Sequence, residues 1–196
     1  DFAPAGLDLV FFANSGAEAN ENALRLACRL TGRGRILAIE HGFHGRTAAA
    51  AAVTWSAVGK WYGFPRTPFD AGFIPRNDIG AAEALIDDSV AAVILEPVQG
   101  QAGAFDLDPA FLRGIAAACR RHGALFIADE IQSGMGRCGA PFAIELSGVS
   151  PDMLTVAKAL GAGFPCSALM MSRWLRLRCA SRRGSSSTRT SRSRPP

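Results

Sequence analysis

No stretch of the 196 residues approaches the roughly 20 consecutive apolar positions of a membrane-spanning helix. The first residues also lack the charged and apolar regions of a signal peptide. A cytoplasmic protein with no membrane role is therefore expected. Paired cysteines are missing as well: Cys28, Cys119, Cys138, Cys166 and Cys179 are odd in number, widely spaced and free of any CxxC pair. That pattern argues against a disulfide framework and for reduced thiols that pack. Internal repeats are absent. From Ser172 onward acidic residues are absent too, against eight arginines, so the net charge of +4 belongs to that stretch alone. Residues 1–171 carry 13 basic and 17 acidic side chains. A body of net negative charge gives no support to phosphate-backbone binding, and no nucleic-acid partner is expected.

What is present is an ordinary globular balance, 48% hydrophobic and 19% charged, enough for one sizeable core. Strand and helix patterns alternate along it. Strands are expected over residues 7–13, 35–40, 90–95 and 124–128, with a further apolar segment at 153–157. A helix follows the first strand, started by a capping box of Ser15 and Glu18, with Ala19, Ala23, Leu26, Ala27 and Leu30 on its apolar face. The alanine-rich residues 47–53 permit a helix, and residues 79–86 read as a short one. Another runs to residue 121, with Asp108 as N-cap, Pro109 at its first position and Gly123 beyond its end. Residues 55–70 are aromatic and proline-rich, which suggests an ordered surface loop or a subunit contact. The alternation marks a single α/β unit with a mainly parallel sheet flanked by helices.

The chemistry gathers at strand ends. The strand at 124–128 runs into Asp129, where open α/β sheets bind ligands. A buried carboxylate there costs several kcal/mol unless it meets a positive partner, and a protonated pyridine nitrogen is one. Lys158 is the only lysine downstream of Asp129; it follows the apolar segment at 153–157 and precedes a glycine-rich turn, so its amine could enter the same crevice. Burial would lower its pKa and make it a nucleophile or base. The turn at Ser15, Gly16 and Ala17 joins a strand to a helix N-terminus, a geometry that offers free N–H groups to an anion or caps a helix with no ligand. His41 and His44 lie three apart, but no further His or Cys is near them in sequence, so no metal is expected.

These segments together resemble the class III (subgroup II) aminotransferases of fold type I, especially those acting on acetylornithine, ornithine and 4-aminobutyrate. The likeness runs over about residues 8–171 and implies an incomplete large domain of a pyridoxal-phosphate-dependent transferase. It makes pyridoxal 5'-phosphate the cofactor, with Lys158 capturing its aldehyde and Asp129 keeping its ring nitrogen protonated. NSGAEANE matches the family's phosphate turn, which puts phosphate contacts on Ser15, Gly16 and Ala17. The FHGRT segment implies Phe43 over the pyridine face, His44 beside it, and Arg46 clamping a substrate carboxylate. Gln132 corresponds to the glutamine that bonds the cofactor's phenolic oxygen, and Glu96 is expected with Arg46 on the substrate-binding side, orienting groups around the cofactor or serving as a structural hydrogen-bonding residue. The implied reaction is ping-pong transamination between an amino donor, first N2-acetylornithine, and 2-oxoglutarate. Ornithine, 4-aminobutyrate or diaminobutyrate as donor, or aminomutase chemistry, are the alternatives. Full-length members are expected to be homodimers.

Two departures accompany the likeness. Where the family loop reads EPVQGEGG or similar, its second glutamate is Gln101 here, which weakens the usual argument for switching between diamino and dicarboxylate partners. After Met171 the family pattern stops, and residues 172–196 are expected to be a non-native, disordered Arg/Ser-rich tail left by a frameshift or truncation. Complete family members are about twice as long, and their small-domain arginine and neighbouring-subunit threonine have no counterpart here. A catalytically incompetent fragment is accordingly a second expectation.

Overall fold

Alternation of side chains along three central strands decides the architecture. In the computed structural model, which describes residues 2–175, these strands are β2 (Arg35–Ile39), β4 (Val90–Leu95) and β7 (Leu125–Asp129). Leu37, Val93, Leu95 and Phe126 point into one apolar layer, and Ile36, Ile94, Leu125 and Ile127 into the other. Both faces are thus buried, which is why these strands read as continuous apolar runs. The first layer is closed by α4 (Ile79–Leu85) and α5 (Pro109–His122), through residues such as Ala82, Phe111, Leu112 and Ile115. The second is closed by α1 (Gly16–Thr31) through Ala23, Leu24, Ala27 and Leu30.

The remaining strands are β1 (Leu9–Ala13), β3 (Asp70–Ile74), β8 (Met153–Val156) and β9 (Ser167–Met171), beside a small hairpin of β5 (Val98–Gln99) and β6 (Phe105–Asp106). Seven strands form one sheet in the order β1-β9-β8-β7-β4-β2-β3. Pairings from β3 through β8 are parallel, while β9 runs antiparallel to both β8 and β1. The mainly parallel α/β class expected from the sequence is the observed one. Strand β1 is shorter than expected and lies on the edge with Val10, Phe11 and Phe12 exposed, and neither β3 nor β9 has a counterpart among the expected strands.

Local sequence explains the helix ends. Helix α1 has the expected capping box: Glu18 donates its N–H to Ser15 Oγ, and its carboxylate accepts the N–H of Ser15 at 2.8 Å. Its buried stripe contains Leu24, with Leu26 only half-buried. Helix α5 ends on left-handed Gly123, but Asp108 makes no side-chain cap and instead donates its N–H to Asn77 Oδ1 at 2.9 Å. Helix α2 (Ala48–Ala52) owes its start to tertiary structure, because Glu21 of α1 accepts the N–H groups of Ala49 and Ala50 and the hydroxyl of Thr47. A short α3 (Ala57–Lys60) interrupts the aromatic stretch. Trp55 packs edge-on against Phe73, and Tyr62 is buried with its hydroxyl donating to Ala48 O, whereas Trp61 and Phe64 are exposed. Beyond Met171, Ser172 and Leu175 are buried, Leu175 within the core. Arg173 and Trp174 are exposed, and residues 176–196 of the Arg/Ser-rich segment lie outside the described residues. Among those residues, no helix is long and apolar enough to cross a membrane.

Candidate active site

Parallel strands deliver their carboxyl ends to one side of the sheet. There β7 ends in Asp129, β4 runs into Glu96, β2 leads to the loop at residues 41–47, and β8 leads through Ala157 to Lys158. The turn into α1 closes the group. A cavity of about 420 Å³ opens among them, a volume in the usual range for small-ligand sites. All ten residues singled out in the sequence, Ser15, Gly16, Ala17, Phe43, His44, Arg46, Glu96, Asp129, Gln132 and Lys158, line it.

Asp129 is buried and already well supplied with donors. His44 Nδ1 and Asn20 Nδ2 each lie 2.7 Å from its Oδ2, and the N–H of Ile131 donates to Oδ1 at 3.1 Å. The acid therefore does not depend on a ligand for its first partners. His44 packs behind Asp129, with a fully buried side chain. Burial opposes its charged form, but the hydrogen bond to Asp129 and the charges of Asp129 and Glu96 outweigh it and raise the pKa. Glu96 accepts the N–H of Phe43 at 2.8 Å, and burial pushes its carboxyl up to about 7. Burial also dominates at Lys158, moving the amine's pKa down against the charges of Asp129 and Glu96, although the residue as a whole is exposed. Lys158 has φ +49°, a left-handed backbone that costs a non-glycine residue about 1–2 kcal/mol.

The helix N-terminus retains capacity for an anion. Glu18 takes up the N–H groups of Asn14 and Ser15, while those of Gly16 and Ala17, the first helical residues, have no intrahelical partner. Gly16 and Gly100 are cradles: a Cβ on the first would come 2.7 Å from Ile131 Cδ1, and on the second 2.5 Å from Gln132 Oε1. Arg46 is exposed, its guanidinium carbon 5.9 Å from the centre of the Phe43 ring. It also borders a second cavity of about 480 Å³ shared with Gln101, Lys60 and Trp61. His41 diverges from His44 and packs at a tilt against Trp55, with ring centres 5.4 Å apart.

An amine beside a carboxylate, an aromatic ring and a helix N-terminus on one wall is a donor set that fits pyridoxal phosphate. The sheet order and the crossing helices are those of the large domain of a fold-type-I pyridoxal-phosphate-dependent transferase. The ornithine aminotransferase of Toxoplasma gondii ME49 superposes with a TM-score of 0.80 at 32% identity, covering 87% of this chain and 43% of that one. A second structure of that parasite's enzyme records partial occupancy of the cofactor at its active site. An S-selective transaminase from Bacillus megaterium has a TM-score of 0.78 at 26% identity, covering 88% and 44%.

Residues 1–186 match the aminotransferase class-III family, and the chain belongs to that pyridoxal-phosphate-dependent family. It is 47% identical over 165 residues to the acetylornithine aminotransferase of Methanothermobacter thermautotrophicus, covering 83% of this chain and 42% of that protein. It is 46% identical over 170 residues to the acetylornithine/succinyldiaminopimelate aminotransferase of Yersinia pestis, with the same coverage. The chain thus spans less than half the length of these relatives.

Asn20, Thr155 and Ile131 were not singled out by the sequence reading. Asn20 and Thr155 are fully buried, and their one sequence signal is a polar residue inside an apolar pattern. Asn20 interrupts the buried stripe of α1, and Thr155 interrupts β8.

Proposed function

We propose that this chain carries the cofactor site of a pyridoxal-phosphate-dependent aminotransferase whose amino donor is N2-acetylornithine and whose acceptor is 2-oxoglutarate, working by ping-pong exchange. The observation that carries the reading is the shared cavity of Lys158 and Asp129, bordered by Phe43 and the α1 turn. The donor is supported by the two relatives at 46–47% identity, both aminotransferases of acetylornithine. Pyridoxal phosphate, when bound, supplies an aldehyde for amine exchange and a ring that takes up an electron pair.

Each side chain then has a defined task. Lys158, with its amine less basic than usual, would hold the cofactor through its aldehyde and would serve as the base that moves the proton at the substrate carbon. Asp129 holds a proton on the ring nitrogen. Gly16 and Ala17 would receive the phosphate through their free N–H groups at the start of α1, beside Ser15, whose hydroxyl donates to Glu18 at 3.1 Å until a phosphate competes for it. Phe43 would cover one ring face and Gln132 would donate to the phenolic oxygen, while Glu96 fixes the Phe43 backbone. Arg46 supplies a planar, bidentate donor for the substrate carboxylate. His44 would sit beside the ring and supports Asp129 through its Nδ1, 2.7 Å from Oδ2.

The whole enzyme is proposed to be a cytoplasmic homodimer, a location supported by the four free cysteines among the described residues. The relatives' greater length favours a second reading, in which this chain holds the cofactor without turning over substrate. The test is to add pyridoxal phosphate to the purified chain, reduce with borohydride, and locate the adduct by mass spectrometry. Reduction should mark Lys158, and glutamate should appear from 2-oxoglutarate when N2-acetylornithine is supplied. An adduct without glutamate selects the second reading, and absence of any adduct on Lys158 rejects both.

A further inference from the structure

Asn20 stands on the buried face of α1 with both ends of its amide engaged. Its Nδ2 donates to Asp129 Oδ2 at 2.7 Å and to the carbonyl of His44 at 2.8 Å. Its Oδ1 accepts the hydroxyl of Thr155 at 2.8 Å. Turning the amide over would set its oxygen against two acceptors, so its orientation is fixed by its neighbours.

The effect on the acid is asymmetric. Asp129 Oδ2 receives two donors, Asn20 Nδ2 and His44 Nδ1, whereas Oδ1 receives only the N–H of Ile131. A carboxylate oxygen has about two acceptor sites. Oδ2 is therefore filled, and the spare capacity of the acid lies on Oδ1. The same amide holds the backbone one residue after Phe43. A single buried side chain thus ties the acid at the end of β7 to the loop that carries the aromatic ring.

We propose that Asn20 is a positioning residue that fills Asp129 Oδ2 from behind, so that Oδ1 is the oxygen presented to a ring nitrogen in the cavity, and that it anchors the Phe43 loop through His44. The inference rests on the proposed function, in which Asp129 faces a protonated pyridine. Without the amide, one fewer donor holds Oδ2. The last torsion of an aspartate is broad and nearly two-fold, so the carboxylate can then turn away from both His44 and the cavity.

The test uses Asn20→Leu, which keeps approximate size and loses the donors, and Thr155→Val, which removes only the group that braces the amide. Binding to the full chain is measured by tryptophan fluorescence for pyridoxal phosphate and for an analogue with the same aldehyde and phosphate but no ring nitrogen. The unaltered chain should prefer pyridoxal phosphate. Asn20→Leu should weaken that ligand by about tenfold or more and the analogue, which senses only the loosened Phe43 loop, distinctly less, and Thr155→Val should move pyridoxal phosphate less in the same direction. Equal weakening of both ligands, or an unaltered preference, overturns the proposal and leaves Asn20 a purely structural residue. If the unaltered chain does not discriminate between the ligands, the assignment of Asp129 to the ring nitrogen fails instead. The placement of Asp129 is then read without ligand, from the His44 imidazole titration followed by NMR. Its midpoint should fall in Asn20→Leu as the carboxylate leaves Nδ1, and an unchanged or higher midpoint overturns the proposal. Should Asn20→Leu not fold, Thr155→Val answers both measurements.

Discussion

Gly45 packs so closely on Ala17 that a Cβ at Gly45 would lie 2.7 Å from the Ala17 Cβ and 3.0 Å from its Cα. The loop that carries Phe43 and Arg46 is thereby pressed against the first turn of α1. Gly45 also has φ +131°, a backbone that side chains rarely adopt. The two segments that border the cavity also meet through Thr47, whose hydroxyl reaches Glu21 and the Ala17 carbonyl, 26 and 30 positions away in the chain; at Gly45 they are held together without room for a methyl group.

Gly45→Ala should consequently destabilise the protein by about 2–4 kcal/mol, from backbone strain and overpacking together. Urea denaturation measures it. Adding Ala17→Gly removes the nearest of the contacts but leaves the Ala17 Cα at 3.0 Å, the Ala50 Cβ at 3.1 Å and the strain, so it should recover only a part of the loss.

Lys158 carries its amine on a strained backbone. Lys158→Gly and Lys158→Ala should both abolish the borohydride-fixed adduct. Of the two, the glycine variant should be the more stable by about 1 kcal/mol, because only glycine adopts φ +49° without a Cβ penalty. Equal denaturation midpoints would show that the turn relaxes once the lysine is gone.

Glu96 has a folded-state pKa of about 7, against an ordinary value of 4.5. The folded chain therefore holds a proton that the unfolded chain has released between these values, and stability falls as pH rises through that window. His44, also raised, contributes stability below its ordinary value that is lost as pH climbs through its folded pKa, so the two act with the same sign. Glu96→Gln keeps an acceptor for the Phe43 N–H and removes the first contribution. Urea midpoints at pH 5 and pH 8 should differ less in this variant than in the unaltered chain, and parallel profiles would assign the dependence elsewhere.

Gly100→Ala tests the seat of Gln132. The added carbon would meet Gln132 Oε1 at 2.5 Å and Cδ at 2.8 Å, both on a flexible side chain. Stability should change by less than about 1 kcal/mol, while pyridoxal phosphate should bind more weakly and with an altered absorption band as Gln132 is displaced. A large loss of stability with an unchanged spectrum would contradict this placement.

Much of the fold was legible in the chain because its signals are local. The capping box of Ser15 and Glu18, the left-handed Gly123 and the apolar runs of β4 and β7 follow from propensity and pattern. The edge strand β3 was not, since residues 70–74 (DAGFI) are short, begin with an aspartate and contain a glycine. Strand propensity there is supplied by pairing with β2, which no local pattern announces.

The sequence by itself determined the kinds of group available and the order in which they arrive: a small-residue helix start, an acid at a strand end, and a lysine after the next strand. Their motif spacing was enough to suggest the family. Only the tertiary structure decided how they meet. It turned His44 back onto Asp129, recruited Asn20 from 109 positions away in the chain, and set the strained backbone of Lys158 on the cavity wall. The physical reason is that a buried polar atom must find its partner wherever the packed elements bring one. Parallel strands bring together residues that are remote in sequence, and that pairing is absent from any local pattern.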